Sequence, residues 1–573
     1  MKKNLLNIAA ATLLAALVVP CALGEDNETN MAAVSRNLDI FNNLYKELNT
    51  FYVDTINSKK SIETAIHAML DDIDPYTEYI SSEEQEEFRT LTTGEYGGIG
   101  SYIMQRKGDK PGVYISGPYN GSPAAKVGLR SGDRIVKING DSVLTWSSDS
   151  VSNHLKGQPN THLTLTVERP WTEDSILTFD ITRETIKVDP VPYYGVVRGC
   201  IGYINLTTYS EQSAQRVKEA VLELKKNPDV KFLALDLRGN GGGLMESAIQ
   251  IVGNFVPKGT QVLVTRGRDK SSEKIYKTTQ DPIDTTTPLA VLVDGGSASS
   301  SEITAGALQD LDRAVIIGTR SFGKGLVQST RPLPFGGLLK VTIAKYYIPS
   351  GRLIQEVDYS HRNEDGSYKR MPDSLARVFH TANGREVREG GGITPDIKVE
   401  YPELNRLVYN IVRDNWAFDF ATKYAASHES VPTPDKFEIT DEIFNEFKAF
   451  INPDKFNYDK VCEQGLESLK KVAKLEGYMN DSTTLEFERL EKLLKHDLSH
   501  DLDTHRKEIA KVLAQEILDR YYYKEGQVEY MARKDETLDR TLEMFAKPGE
   551  YNRILTDTTP KSSKPEATDK KGK

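Results

Sequence analysis

The chain has 573 residues, with 73 Lys and Arg against 83 Asp and Glu and a net charge of −10. At about 150 residues per domain, that length excludes a single small module and points to three or four domains. The acidic balance excludes a basic field that would attract nucleic acid, and three cysteines exclude a disulfide framework.

Lys2 and Lys3 precede the apolar stretch IAAATLLAALVVPCAL, which ends in the small-residue pattern Ala22-Leu23-Gly24 before Glu25 and Asp26. Residues 1–24 therefore read as a cleaved secretory signal. The stretch is shorter than the ~20 apolar residues of a spanning helix and contains Pro20. The alternatives are an uncleaved anchor or lipidation at Cys21, although Pro20 departs from the small residue that lipoprotein signals favour before the cysteine. Cys200 and Cys462 fall in different regions, so stray buried thiols are expected rather than a bridge.

Residues 25–94 carry helical spacing, with Leu38, Phe41, Leu44 and Leu48, then Ile62, Ala65, Ile66 and Leu70. From 95 to 186 the period changes to alternation in VYIS, RIVKI and LTLTVER, with a turn at Asn139-Gly140, which predicts a small β-rich domain. Between 187 and 400, strands (IGYINL, FLALDL, QVLVTR, LAVLVD, AVIIGT, LKVTIAKYYI) alternate with helical stretches, predicting an α/β unit with a largely parallel sheet. Residues 401–556 are charged and helical, as in HRKEIAKVLAQEILDRYYY, and 557–573 form a polar tail predicted to be disordered. The fold class is thus multidomain α+β, with an α/β core between a β-rich domain and helical ends.

The segment LAVLVDGGSASSSEITAGALQD places a serine cluster at a strand-to-helix junction, where backbone N–H groups and a helix dipole can face an oxyanion. Taken alone, Ser297, Ser299, Ser300 and Ser301 read first as N-cap residues. A serine nucleophile needs a base, and none of the nine histidines stands in a suitable setting. Lys324, between Gly323 and Gly325 in SFGKGLVQ, can be turned inward, where burial would lower its pKa toward the range of a general base.

The two segments together resemble the active-site signature of the carboxy-terminal processing proteases, serine endopeptidases with a Ser-Lys catalytic pair and a PDZ domain. The resemblance implies Ser299 as nucleophile, Lys324, 25 residues later, as general base, and Gln328 as the residue that orients the lysine. FLALDLRGNGGG resembles the family's glycine-rich loop, which implies oxyanion donors in the backbone of Gly241 or Gly242 and of Ser300. YYIPSGRLIQ, GGITPDIKV and DIDPYTEYIS also match the family, and its core fold is ClpP/crotonase-like. Residues 95–186 resemble its PDZ domain, carried by GSPAAKVGLRSGDRIVKINGDSV. Tyr96, Gly97, Gly98, Ile99 and Gly100 are then the loop that would receive a substrate's terminal carboxylate.

The resemblance implies no cofactor and no metal, polypeptide substrates held by their C-termini, a bacterial periplasmic location, and a homodimer or an adaptor bound to the C-terminal helices. His496, His500 and His505 lie in a charged helical segment and read as solvated rather than as metal ligands. Two other readings are a non-catalytic PDZ scaffold of the cell envelope and a ligand-binding protein on the same core. The complete set of Ser299, Lys324 and Gln328 weighs against both.

Overall fold

The computed structural model describes residues 25–363, 367–370, 375–400, 405–457, 461–495 and 497–559. Residues 1–24, expected to be a secretory signal, His496 and the tail from 560 onward lie outside the described residues. The chain divides into two compact units, Met1–Tyr79 and Ile80–Lys573. The first unit contains helices α1 (Glu25–Phe51) and α2 (Ser58–Asp71). Asn57 starts α2 by accepting the Lys60 N–H, and the Tyr45 hydroxyl bonds Ser61 across the pair.

In the second unit, helix α3 (Gln85–Thr93) ends on Gly94 in the left-handed region. The β-rich domain follows. Strands β1 (Glu95–Gly98), β2 (Ser101–Arg106), β3 (Gly112–Pro118) and β4 (Arg134–Ile138) precede helix α4 (Ser148–Leu155). Strands β5 (His162–Glu168), β6 (Ile176–Thr182) and β7 (Glu184–Lys187) complete it. The antiparallel sheet runs β2-β3-β4-β5-β6, leaving β2 at an edge, while β1 pairs with β7. Asn139 and Gly140 both have positive φ, as the tight hairpin after β4 requires.

The core sheet is built from β8 (Tyr193–Val197), β9 (Ile201–Asn205), β10 (Phe232–Asp236), β13 (Leu289–Val293), β14 (Ala314–Gly318) and β17 (Ile397–Lys398), in that order. All neighbours are parallel except β8 with β9. Helices α5 (Ser213–Leu224), α6 (Met245–Gly253) and α7 (Ser300–Asp310) make the crossovers. The apolar runs LAVLV and AVIIG are buried at every position, which suits strands covered on both faces.

Two of the strands expected in the parallel sheet lie elsewhere. QVLVTR is in β11 (Gln261–Gly267) and LKVTIAKYY is β16 (Leu338–Tyr347). They pair antiparallel with each other and with β12 (Lys274–Lys277) and β15 (Leu326–Pro332), in the order β15-β16-β11-β12. Residues 262–265 of β11 are buried in succession, whereas β16 is only partly buried along most of its length.

The C-terminal region contains α8 (Arg406–Arg413), α9 (Trp416–Ser427), α10 (Asp441–Phe450), α11 (Arg506–Arg533), α12 (Glu536–Ala546) and α13 (Glu550–Thr556). Its first part has its own core, including Ile411, Phe420, Phe447, Leu513 and Ile517. It meets the β-rich domain through Arg106, which grips Asp419 with two bonds of 2.7 and 2.8 Å. Its last part instead covers the central sheet. Leu289, Val291 and Val293 face the crossover helices, whereas Ala290 and Leu292 face Leu538, Met544, Phe545 and Leu555. Phe232 stacks on Phe545 at 4.1 Å. The helices past residue 530 are therefore the second layer of the α/β core.

Cys200 is half-buried and Cys462 exposed, both free; the sequence had suggested buried thiols. Among the described residues, no helix is long and apolar enough to cross a membrane.

Candidate active site

The C-terminal end of β13 opens into Asp294-Gly295-Gly296, and the chain then turns sharply into α7. The four serines of this turn divide by burial. Ser297, Ser300 and Ser301 are buried, and their hydroxyls donate to the carbonyls of Leu237, Gly243 and Asn240 at 2.8 to 2.9 Å. They fasten the turn to the glycine-rich loop after β10. Ser299 is the more open one, held at φ 56° and ψ −112°. A non-glycine residue in that region is strained, and such strain is retained where the surroundings over-determine it.

The glycine-rich loop lies directly against Ser299. A Cβ on Gly242, whose φ is +100°, would come within 2.7 Å of the Ala298 carbonyl and 2.9 Å of the Ser300 nitrogen. Asn240 organises this contact. It is fully buried, bonds Leu206 O through Nδ2, accepts the Gly242 N–H at Oδ1, and receives the Ala298 N–H at its carbonyl. Because the Gly242 N–H is thus occupied, the Gly241 N–H is the one of the two without a partner among the described residues. The Ser300 N–H, at the first position of α7, is likewise without one, as helix starts leave it.

Lys324 is half-buried in the loop between β14 and β15, flanked by two glycines. Gly323 has φ +91°, and side chains there or at Gly325 would strike Glu356 or Gln355. Gln328 lies on β15 opposite Thr342 of β16 and donates from Nε2 to its hydroxyl at 3.1 Å. Two residues unassigned from the sequence connect the serine and lysine segments. Glu302 is wholly buried and accepts the backbone N–H groups of both Ser299 and Lys324 at 2.9 Å. Tyr346 donates to Lys324 O at 2.8 Å and reaches Ser299 O at 3.2 Å. The pattern Ser-x-x-Glu at 299–302 is the sequence signal for the first of these.

At the distal loop, Tyr96, Gly97 and Gly98 belong to β1, while Ile99 and Gly100 follow it into β2. Gly157 donates its N–H to Gly97 O, and a Cβ on Gly97 would strike Gly157 O at 2.1 Å. Gly100 has φ +72° and packs on Ser122. Tyr102 and Tyr119 meet edge-on beside this loop. In the C-terminal region, His500 is exposed and His505 rests against Asn405.

The family is established by comparison with known proteins. The carboxy-terminal-processing protease of Bartonella bacilliformis is 34% identical over 405 residues, which is 70% of this chain and 83% of that one. The chain belongs to the carboxy-terminal processing proteases. The family model for peptidase family S41 matches residues 200–360, that for a PDZ domain matches 114–169, and that for a PDZ-protease C-terminal helical domain matches 407–545. A probable CtpA-like serine protease of Staphylococcus aureus is 31% identical over 85% of this chain and 88% of its own. Among solved structures, the photosystem II D1 C-terminal processing protease aligns with 62% of this chain and 86% of its own, at 28% identity and a TM-score of 0.35. The protein is accordingly a serine peptidase with a PDZ domain and a C-terminal helical domain, and the non-catalytic readings are not favoured.

Proposed function

We propose that this carboxy-terminal processing protease is an exported endopeptidase that cleaves through an acyl-enzyme on Ser299. Unprotonated Lys324 accepts the serine proton, Gln328 orients the lysine, and the Gly241 and Ser300 N–H groups receive the oxyanion. Water then hydrolyses the acyl group. The observation that carries this reading is the strained Ser299 backbone at the start of α7, pressed against the glycine-rich loop. The core layers suit a ClpP/crotonase-like fold.

The PDZ domain, in this reading, holds a substrate's C-terminus. The terminal carboxylate would sit at Tyr96–Gly100, and the extended chain would add to the free edge of β2 beside α4. Residues 1–24 direct export to the periplasm. Self-association is proposed through α1, where Met31, Val34, Leu38, Phe41 and Leu48 form an exposed apolar stripe. An adaptor on the C-terminal helices is the other use of such surfaces, and light scattering of the protein alone separates the two.

Ser299→Ala and Lys324→Ala are each expected to reduce cleavage of a disordered polypeptide by at least about 10³-fold with the melting temperature retained. New termini read by mass spectrometry measure it, and full activity in either variant overturns the proposed roles.

A further inference from the structure

We propose that Glu302 and Tyr346 are a pair of positioning residues that fix the separation of Ser299 and Lys324 by gripping the main chain of both at two points each. The inference rests on the roles given to Ser299 and Lys324 above. It starts from an imbalance at Glu302. A glutamate at the third position of a helix normally serves its own N-terminus, and here that accounts for one bond, from the Ser299 N–H at 2.9 Å. Three further donors come from the lysine loop. Oε2 also accepts the Lys324 N–H at 2.9 Å, while Oε1 accepts the Ser321 hydroxyl at 2.6 Å and the Gly323 N–H at 2.7 Å. The carboxylate is buried within this ring of donors, so its acceptor positions are used on the 321–324 segment more than on its own helix.

Tyr346 repeats the connection on the carbonyl side. It sits on β16, is 1% exposed, and its backbone N–H donates to Gly325 O at 3.0 Å. Its hydroxyl has one proton to share between Lys324 O at 2.8 Å and Ser299 O at 3.2 Å. One bridge between two segments leaves a hinge, whereas bridges at both the N–H and C=O ends remove it. The nucleophile and base, carried on a helix start and a glycine-flanked loop, are thereby set by side chains that touch neither substrate nor reacting atoms. A displacement of about 1 Å in such an arrangement can cost on the order of 10²-fold in rate.

Ionisation matters because only the carboxylate can accept four donors. Burial pushes Glu302 up to about 7 although its four hydrogen bonds pull it down. The groups facing it are Ser321, the Lys324 loop and the Tyr346 phenol, itself raised by burial and by the Glu302 charge. Below about pH 7 a second proton thus opposes catalysis, in addition to the one on Lys324.

The test compares Glu302→Gln and Tyr346→Phe with the wild type and with Ser299→Ala, using a disordered polypeptide substrate. Both positioning variants are expected to lose about 10- to 100-fold in kcat with KM within about twofold, and the double variant is expected to lose less than the product of the two. The acid limb of the wild type steepens toward a slope of two below about pH 7, and in Glu302→Gln it stays at one. Should Glu302→Gln fail to fold, the kcat of Tyr346→Phe decides. If Ser299→Ala is inactive but both positioning variants keep kcat within about twofold, the inference is overturned while the nucleophile stands. Activity in Ser299→Ala removes the reading beneath it.

Discussion

The active site and the seam between the α/β core and the last helices lie at adjoining parts of the glycine-rich loop, yet they are held by opposite kinds of chemistry. At the active site one buried carboxylate is satisfied by neutral donors, with its charge left uncompensated by the groups that bond it. At the seam, Arg238 sits between Asp236 and Asp535, donating from Nε to Asp236 at 2.9 Å and from Nη1 to Thr537 at 3.2 Å. Arg198 donates to Asp539 at 2.6 Å and to the carbonyls of Arg533 and Asp535, and Phe232 stacks on Phe545. Paired charges and stacked rings stabilise the seam over a wide pH range; an unpaired buried charge makes the site sensitive to pH. Rigidity for catalysis is thus maintained at some cost in stability, while the neighbouring seam supplies stability.

The largest expected effect is at the contact of loop and nucleophile. Gly242→Val puts a side chain where only about 2.7 to 2.9 Å is open and at a φ of +100°. A loss of at least about 10²-fold in kcat is expected, measured on folded protein, because the loop must withdraw from Ser300. Asp535→Ala, at the seam, leaves Arg238 paired with Asp236 alone and is expected to lower unfolding free energy by about 2 kcal/mol, read by denaturant titration. Its kcat should change by less than about threefold; a fall as large as that of Gly242→Val would break the division between seam and site.

Much of this was legible beforehand, and the missing parts have physical reasons. Gly242 and Gly323 stand in turns where a positive φ favours glycine, whereas Ser299 and Lys324 are picked out by the resemblance of their segments to the family's signature. Glu302 and Tyr346 lay inside segments already noted, but their meaning depends on contacts between residues 299, 324 and 346 that no local period encodes. The choice between Gly241 and Gly242 turns on the Asn240 side chain. Strand periodicity revealed β11 and β16 but not their sheet, since alternation does not name a partner. The amphipathic helices past residue 530 likewise showed an apolar face without showing that the central sheet would be beneath it.

A smaller effect separates site from seam through pH. Glu302 is raised from 4.5 to about 7, so between those values the folded chain holds a proton that the unfolded chain has released. Its contribution to stability falls as pH rises through that window and is flat above it, a change of about 3 kcal/mol. The stability of wild type relative to Glu302→Gln should therefore decline from about pH 5 to about pH 8 while kcat of the wild type rises. A parallel rise of both quantities would contradict the uncompensated charge. The smallest effect belongs to the exposed pair Lys455 and Asp109, where Lys455→Ala is expected to leave the melting temperature essentially unchanged.

The most direct measurement is the mass and position of a covalent adduct after exposure of the full chain to a phosphonate ester that acylation-competent serines attack. Tandem mass spectrometry should place the adduct on Ser299, with none in Ser299→Ala and a rate reduced at least about 10²-fold in Lys324→Ala. An adduct on another serine, or undiminished labelling in Ser299→Ala, would contradict it.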